Sequence, residues 1–322
     1  MMTAGLPFDD VRNLIRQLPA VDAGAGKRVR EDLAGASLGR IADLAAWLAA
    51  ATGRAPARVA RPVVALFAAT HAVSRRLGAA DWIAEARAGV EDIAAGAAPI
   101  SHLCAANNLG LNVFDLALEL PVEDFARAPA LEERAAAATM AFGMEAVATG
   151  ADLICLGTVD NAGDPSAMTL LSGLAGTDGR EWEGSDAVLQ VVDDALKLHA
   201  GHLGDPLEAL RRLGGREIAA LAGAILAART QKVAVILDGL PATAAAATLY
   251  RLAPGTLDHC LLAATASTPH RKAAARIGLE PILELGVAGG GAIAGALAAG
   301  LIRTAGDISV GMAEVRRRRS RS

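Results

Sequence analysis

A chain of 322 residues that is 53% hydrophobic but only 3% aromatic, with 34 glycines, must build its core from Ala, Leu, Val and Ile rather than from rings. Its formal net charge of −4 argues against a general nucleic-acid binder. Cys104, Cys155 and Cys260 stand far apart, each in an apolar run; that excludes paired metal-ligand spacing and predicts three reduced core thiols.

The opening residues place acids among the apolar positions and lack a basic stretch, unlike a secretory leader. The most membrane-like stretch, 285–302, is rich in glycine and alanine and reads better as a turn followed by a buried helix. A cytoplasmic protein with no membrane and no nucleic-acid partner is expected. Residues 6–50 read as two helices: Leu14, Ile15 and Leu18 share a face in the first, and Leu38, Ile41, Leu44, Trp47 and Leu48 keep helical spacing in the second. The small and charged segment 20–35 between them reads as loop. Pro62–Ala68 is the first strand, β-branched, apolar and bounded by proline. It runs into His71, which is a candidate to line a site, although a lone His in such a place is more often a hydrogen-bonded structural residue.

Residues 81–104 read as helix broken near Gly96 to Pro99, 111–116 as a second strand, 119–129 as loop and 131–149 as an Ala-rich helix. A third strand at 153–156 stops at Gly157, and a polar loop then leads into an apolar helix from Ala167. Helices follow at 186–199, 206–213 and 218–228, a fourth strand at 233–237, a helix at 241–252, a fifth strand at 259–263 and a helix at 269–277. Residues 281–285 form a short strand or a turn. Strands alternating with helices predict an α/β fold with a Rossmann-like, doubly wound parallel sheet and helices on both faces. The tail from 314 carries five arginines and reads as solvated and disordered.

In such a sheet the loop between a strand's carboxyl end and the next helix is where ligands sit. The loop from Asp160 to Ser166 therefore offers backbone N–H groups to an anion, with Asp164 or Ser166 as helix cap. Asp160 and Asp164 add negative charge that disfavours phosphate, and a purely structural loop is the equal alternative. Asp238, at the end of the fourth strand, faces a site or simply makes a turn. The run Gly289, Gly290, Gly291 lets backbone approach a ligand or a helix closely. No dinucleotide fingerprint, nucleophile elbow, phosphate-binding P-loop or metal-spaced His cluster is present; His199 and His202 are flanked by Gly201 and Gly204, which argues against a rigid metal pair.

Segment 205–263 resembles the nicotinate-nucleotide:dimethylbenzimidazole phosphoribosyltransferases, which build α-ribazole phosphate for the lower ligand of cobalamin. The residues that carry the likeness are Gly214, Gly215, Glu217, Gly223, Asp238, Gly239 and the run Thr243 to Ala246. Ser37, Leu38 and Gly39, then His71, Asp124, Pro129 and Ala130, and Gly278 to Pro281 match other family segments in order, so the resemblance covers roughly 30–305. It implies a large Rossmann-like domain (51–285) and a small helical domain from both chain ends (1–50 and 286–310), with 311–322 as a disordered basic tail. It also implies a homodimer or a mixed dimer with a homologue, and a small nucleotide or benzimidazole-like ligand. No cofactor and no metal are expected.

In the family a Glu takes the benzimidazole's proton as its nitrogen attacks the ribose C1′ and nicotinate leaves. Here the resemblance places that base in Val287, Ala288 and Gly289, and no carboxylate lies between Glu284 and Asp307. Loss of a general base typically costs ~10² to 10⁴ in rate. A second family Glu falls on Thr158, its Asn-Thr-Thr on Asp164, Pro165 and Ser166, its phosphate loop on Glu183 to Asp186 and its Lys on Val188. The segment from Thr265 to His270 lacks the family's Glu. Two readings result: a family member in the phosphoribosyl transfer step, or a catalytically inactive paralogue that binds ligand or pairs with an active homologue. The ligand-binding candidates are His71, Thr158, Asp160, Gly163, Asp164, Ser166, Asp238, Gly290 and Gly291.

Overall fold

A computed structural model of the chain describes residues 6–159, 163–287 and 290–319. In chain order the elements are α1 (Pro7–Arg16), α2 (Ala23–Asp32), α3 (Arg40–Thr52), β1 (Pro62–Ala68), α4 (Trp82–Ala94), α5 (Pro99–Asn107), β2 (Gly110–Asp115), α6 (Glu133–Met144) and β3 (Leu153–Val159). The second half adds α7 (Gly163–Ala175), α8 (Asp186–His199), α9 (Pro206–Leu213), α10 (Arg216–Gln231), β4 (Ala234–Leu237), α11 (Gly239–Leu252), β5 (Cys260–Leu262), α12 (Thr268–Arg276) and α13 (Ile293–Arg319). The strands form one parallel sheet in the order β2-β1-β3-β4-β5. The alternation of strand and helix thus gives the Rossmann-like sheet that the pattern predicts.

Strand periodicity divides the core in two. On β1, β3 and β4, the side chains of Val64, Leu66, Leu153, Cys155, Ala234 and Ile236 point to one face, where α2, α3, α5 and α13 cover them. Their neighbours Ala65, Phe67, Ile154, Leu156, Val235 and Leu237 point to the other face, under α6, α7, α10 and α11. With both faces covered, β4 is buried along its whole length, which is why its sequence is an unbroken apolar run. Aromatics are scarce, so helices come very close instead. A Cβ on Gly143 of α6 would overlap the Ala220 carbonyl oxygen of α10, and one on Gly223 of α10 would overlap that of Met140. Cys104, Cys155 and Cys260 are buried and unbridged. Burial pushes the Cys104 thiol up to about 11 and raises Cys155 and Cys260 as well.

Two expectations are corrected. The segment 20–35 is not all loop, because it contains α2, whose Ala25, Gly26 and Val29 are buried against α3. The arginine-rich tail is not disordered over 311–319, because α13 runs unbroken from Ile293 to Arg319. Arginine is a good helix former, and positive charge suits a helix C-terminus. By length and composition α13 could cross a membrane, but half of its most apolar window is buried in the fold.

Candidate functional site

The sheet order reverses between β1 and β3, and crevices at such a point, beyond the carboxyl ends of the strands, are where open α/β sheets take ligands. A cavity of about 500 Å³ opens there, within the usual size range of small-molecule sites. Leu66 of β1 and Thr158 and Val159 of β3 form its floor. Gly89, Asp92 and Ile93 of α4 and the segment from Ala97 to Ile100 make one wall; Asp164, Gly290, Gly291 and Ile293 make the other. The first residues of α5, the second of α7 and the first of α13 are all in this lining, so three helix N-termini converge on it. Among the described lining residues the charged side chains are two carboxylates, Asp92 and Asp164, with no Lys, Arg or His.

The second wall is set by a glycine contact. The Thr158 N–H donates to the Gly290 carbonyl at 2.8 Å, which lays the 290–292 backbone directly on β3. A Cβ at Gly157 would overlap that carbonyl oxygen and lie 3.0 Å from the Ala292 nitrogen. The close approach predicted for the glycine run is therefore to a strand at Gly290, whereas an added Cβ on Gly291 would meet nothing within 4 Å.

Of the candidates read from sequence, Thr158, Asp164, Gly290 and Gly291 come together in this lining. Asp160, Ala288 and Gly289 lie outside the described residues. The others are placed elsewhere. His71 is fully buried at the end of β1, its Nε2 3.2 Å from Glu217 Oε1 at the start of α10. A Cβ on Gly215 would collide with both side chains, so the His71–Glu217 contact requires glycine at 215. Ser166 does not cap α7: it lies inside the helix, and its buried hydroxyl donates to the Leu213 carbonyl at 2.7 Å. Gly163 is the buried first residue of that helix and is not in the cavity lining.

Asp238 faces α13 rather than the cavity. Its Oδ2 accepts the Gly295 N–H at 2.8 Å, so it holds the first turn of the helix behind the glycine loop. Burial pushes its carboxyl up to about 6, partly offset by the N–H groups of Gly295 and Ala294. Glu284 is exposed and paired with Arg271 at 2.9 Å, away from the lining. Of the segment from Thr265 to His270, His270 is buried: its Nδ1 accepts the Ala266 N–H at 3.2 Å, so Nε2 carries the proton and meets Thr243 Oγ1 at 2.8 Å. Thr243 in turn donates to the Gly239 carbonyl. This closed chain joins the loops after β4 and β5, and burial lowers His270 to about 4. Ser185 caps α8 through the Val188 N–H.

The α4–α5 wall was not anticipated from sequence. Its one signal was the break at Gly96 to Pro99, which reads as punctuation until the fold brings it over β1 and β3.

Fold and cavity first define a class: a Rossmann-like α/β protein with its ligand site at the carboxyl edge of a parallel sheet. A phosphoribosyltransferase family model matches residues 20–317. The nicotinate-nucleotide–dimethylbenzimidazole phosphoribosyltransferase of Rhizobium meliloti (strain 1021) is 48% identical over 97% of this chain and 97% of its own length. That of Brucella anthropi is 46% identical over the same shares. The crystal structure of CobT from Thermus thermophilus superimposes with a TM-score of 0.79 at 26% identity, covering 89% of this chain and 96% of that one. The chain belongs to the nicotinate-nucleotide–dimethylbenzimidazole phosphoribosyltransferase family. Near-full-length relatives of this kind lend nothing to the alternative of a catalytically inactive paralogue.

Proposed function

We propose that this chain transfers a phosphoribosyl group from nicotinate mononucleotide to dimethylbenzimidazole, the step that supplies the lower ligand of cobalamin, and that the 500 Å³ cavity between α4 and the glycine loop receives the acceptor base. The observation that carries the reading is the cavity's lining. It is apolar at Leu66, Ile93, Ile100, Val159 and Ile293, which suits a planar aromatic ring, and polar only at a few points. In the transfer, a ring nitrogen of the base forms a bond to C1′ while the bond from C1′ to the nicotinate nitrogen breaks and its electron pair leaves with nicotinate. The proton on the other ring nitrogen then goes to a base. With no carboxylate between Glu284 and Asp307, the groups in the lining able to take it are Asp92 and Asp164.

No basic side chain is in the described lining, Pro99 has no N–H and Asp238 already takes the Gly295 and Ala294 N–H groups, so the phosphate has only a few backbone donors at the starts of α5, α7 and α13. That is a weaker hold than a lysine would give, and it predicts a high KM for the nucleotide. The reading includes a dimer, homomeric or mixed with a homologue, working in the cytoplasm; sedimentation of the purified chain as a monomer at micromolar concentration would contradict the homodimer. The function itself is tested by incubating the protein with nicotinate mononucleotide and dimethylbenzimidazole and following nicotinate and α-ribazole phosphate by chromatography. Stoichiometric formation of both supports the transfer. Binding of either compound without product overturns it.

A further inference from the structure

Nothing in the transfer reaction calls for the arginine-rich end of α13. Ala313 is the last buried residue of that helix, and every described residue from Glu314 to Arg319 is exposed. The helix therefore runs about 9 Å past its last packed side chain, at about 1.5 Å per residue. Arg316, Arg317, Arg318 and Arg319 follow one another in steps of about 100°, so they ring this end instead of lining one side. The helix dipole favours a cation in the last turn, but it does not call for four in succession.

The charge is also unevenly placed. Residues 314–322 carry +4 in a chain whose total is −4, which leaves −8 on the rest. The end of α2 lies beside the tip: Arg316 Nη1 meets Asp32 Oδ1 at 3.1 Å, and Arg316 Nη2 donates to the Glu31 carbonyl at 2.6 Å. Lys27, Arg28 and Arg30 of α2 are exposed, but each stands within 4.0 Å of an acid, so the excess positive charge belongs to α13.

An acidic body with a basic tip is repelled by a polyanion laid along its side and drawn to a flat anionic surface met end on. The reach of about 9 Å is close to the Debye length of about 8 Å at physiological salt. At that stand-off the arginines meet the surface directly, while its repulsion of the body falls to about a third. From Ile293, at the cavity, to Arg319 the helix spans about 39 Å, so contact at the tip leaves the cavity open. The expectation of no membrane partner answers only to the want of a spanning stretch, and a surface contact needs none.

We propose that the arginine end of α13 docks the protein on an anionic lipid bilayer. The partner is a surface of acidic phospholipid headgroups, and the docking is independent of the transfer reaction.

The test is flotation of the full-length protein with vesicles of phosphatidylcholine alone and of phosphatidylcholine mixed equally with phosphatidylglycerol, at about 0.1 M salt. The anionic vesicles are expected to bind at least about tenfold more tightly, because each basic side chain near such a surface contributes about fivefold. At about 1 M salt, where the Debye length is about 3 Å, the preference should vanish. The joint substitution Arg317→Gln, Arg318→Gln and Arg319→Gln keeps the Arg316–Asp32 pair. It should weaken binding to the anionic vesicles at least about tenfold with an unchanged melting temperature. Joint Arg127→Gln, Arg134→Gln and Arg180→Gln removes the same charge from exposed positions elsewhere and should keep the wild-type preference. Equal binding to both vesicles, a preference that survives high salt, or a wild-type preference in the Arg317–Arg319 variant overturns the docking. A short DNA duplex bound more tightly than the anionic vesicles at the same salt assigns the tip to nucleic acid and overturns it as well.

Discussion

Replacing Gly157 by alanine tests how the glycine loop is held. The added Cβ would fall well inside 3.0 Å of the Gly290 carbonyl oxygen, a separation that real Cβ atoms essentially never show, and both partners are backbone. Neither side can rotate away, so the loop must move off β3 by on the order of 0.5–1 Å or the strand must bend. Overpacking of this kind costs about 1–3 kcal/mol, and losing the hydrogen bond from Thr158 to Gly290 adds roughly 1 kcal/mol. Unfolding in urea should therefore show a loss of about 2–4 kcal/mol. Because Gly290, Gly291 and Ile293 line the cavity, affinity for dimethylbenzimidazole should fall by about tenfold, equivalent to about 1.4 kcal/mol. Gly291→Ala is the stability control: nothing lies within 4 Å of its Cβ, so stability should change by less than about 0.5 kcal/mol. A Gly157→Ala protein with wild-type stability and wild-type affinity would refute the reasoning.

Gly223→Ala, at the α6–α10 crossing where its Cβ would overlap the Met140 carbonyl oxygen, should destabilise by more than about 3 kcal/mol or prevent folding; a soluble variant with unchanged melting temperature would contradict the close contact. Burial holds His270 at about 4 and His259 at about 3 in the fold, below the ordinary 6.5. Their neutral forms are the folded ones, so this stabilisation is complete above pH 6.5 and is lost as pH falls toward 4, by roughly 3 kcal/mol for His270. His270→Gln should flatten the acid limb of the stability curve, and an unaltered limb would count against the role of His270. Asp238 runs the other way: its raised value makes the stabilising contribution complete below about 3.8 and lost as pH rises through about 6. Asp238→Asn should match or exceed wild-type stability at about pH 7.5 and lose that advantage near pH 4; a large loss at the higher pH would show that the charge at the start of α13 outweighs its burial.

Strong apolar periodicity made much of the fold legible. Pro62–Ala68 forms as predicted because β-branched and apolar residues follow a proline and leave no competing helical spacing. In contrast, α2 was missed because its own residues, AGAGKRVRED, carry little apolar signal. The helix exists because Ala25, Gly26 and Val29 pack on α3, a contact between segments that no local window contains. The third strand also runs past the expected stop at Gly157 to Val159, since glycine there serves a close contact rather than a turn.

The site was legible in part for the same reason. Thr158, Asp164, Gly290 and Gly291 could be named because the carboxyl ends of strands and the loop before a helix are privileged positions in any parallel sheet. His71, Ser166 and Asp238 occupy similar positions in sequence, yet their side chains turn inward to Glu217, Leu213 and Gly295. A polar residue at a strand end has the same spelling whether it meets a ligand or a buried partner. Gly89 and Asp92 carry only a faint cue, an interior glycine and an acid in the last turn of α4, and only the topology that lays α4 over β3 gives them a common target.

The most direct measurement is a crystal structure of the protein soaked with dimethylbenzimidazole and nicotinate mononucleotide together. The base should lie between Gly89 and the loop at Gly290 and Gly291, its ring edge toward Asp92, with the nucleotide's phosphate at the starts of α5, α7 and α13. Density for the base at another surface, or none in this cavity at saturating ligand, would contradict the account.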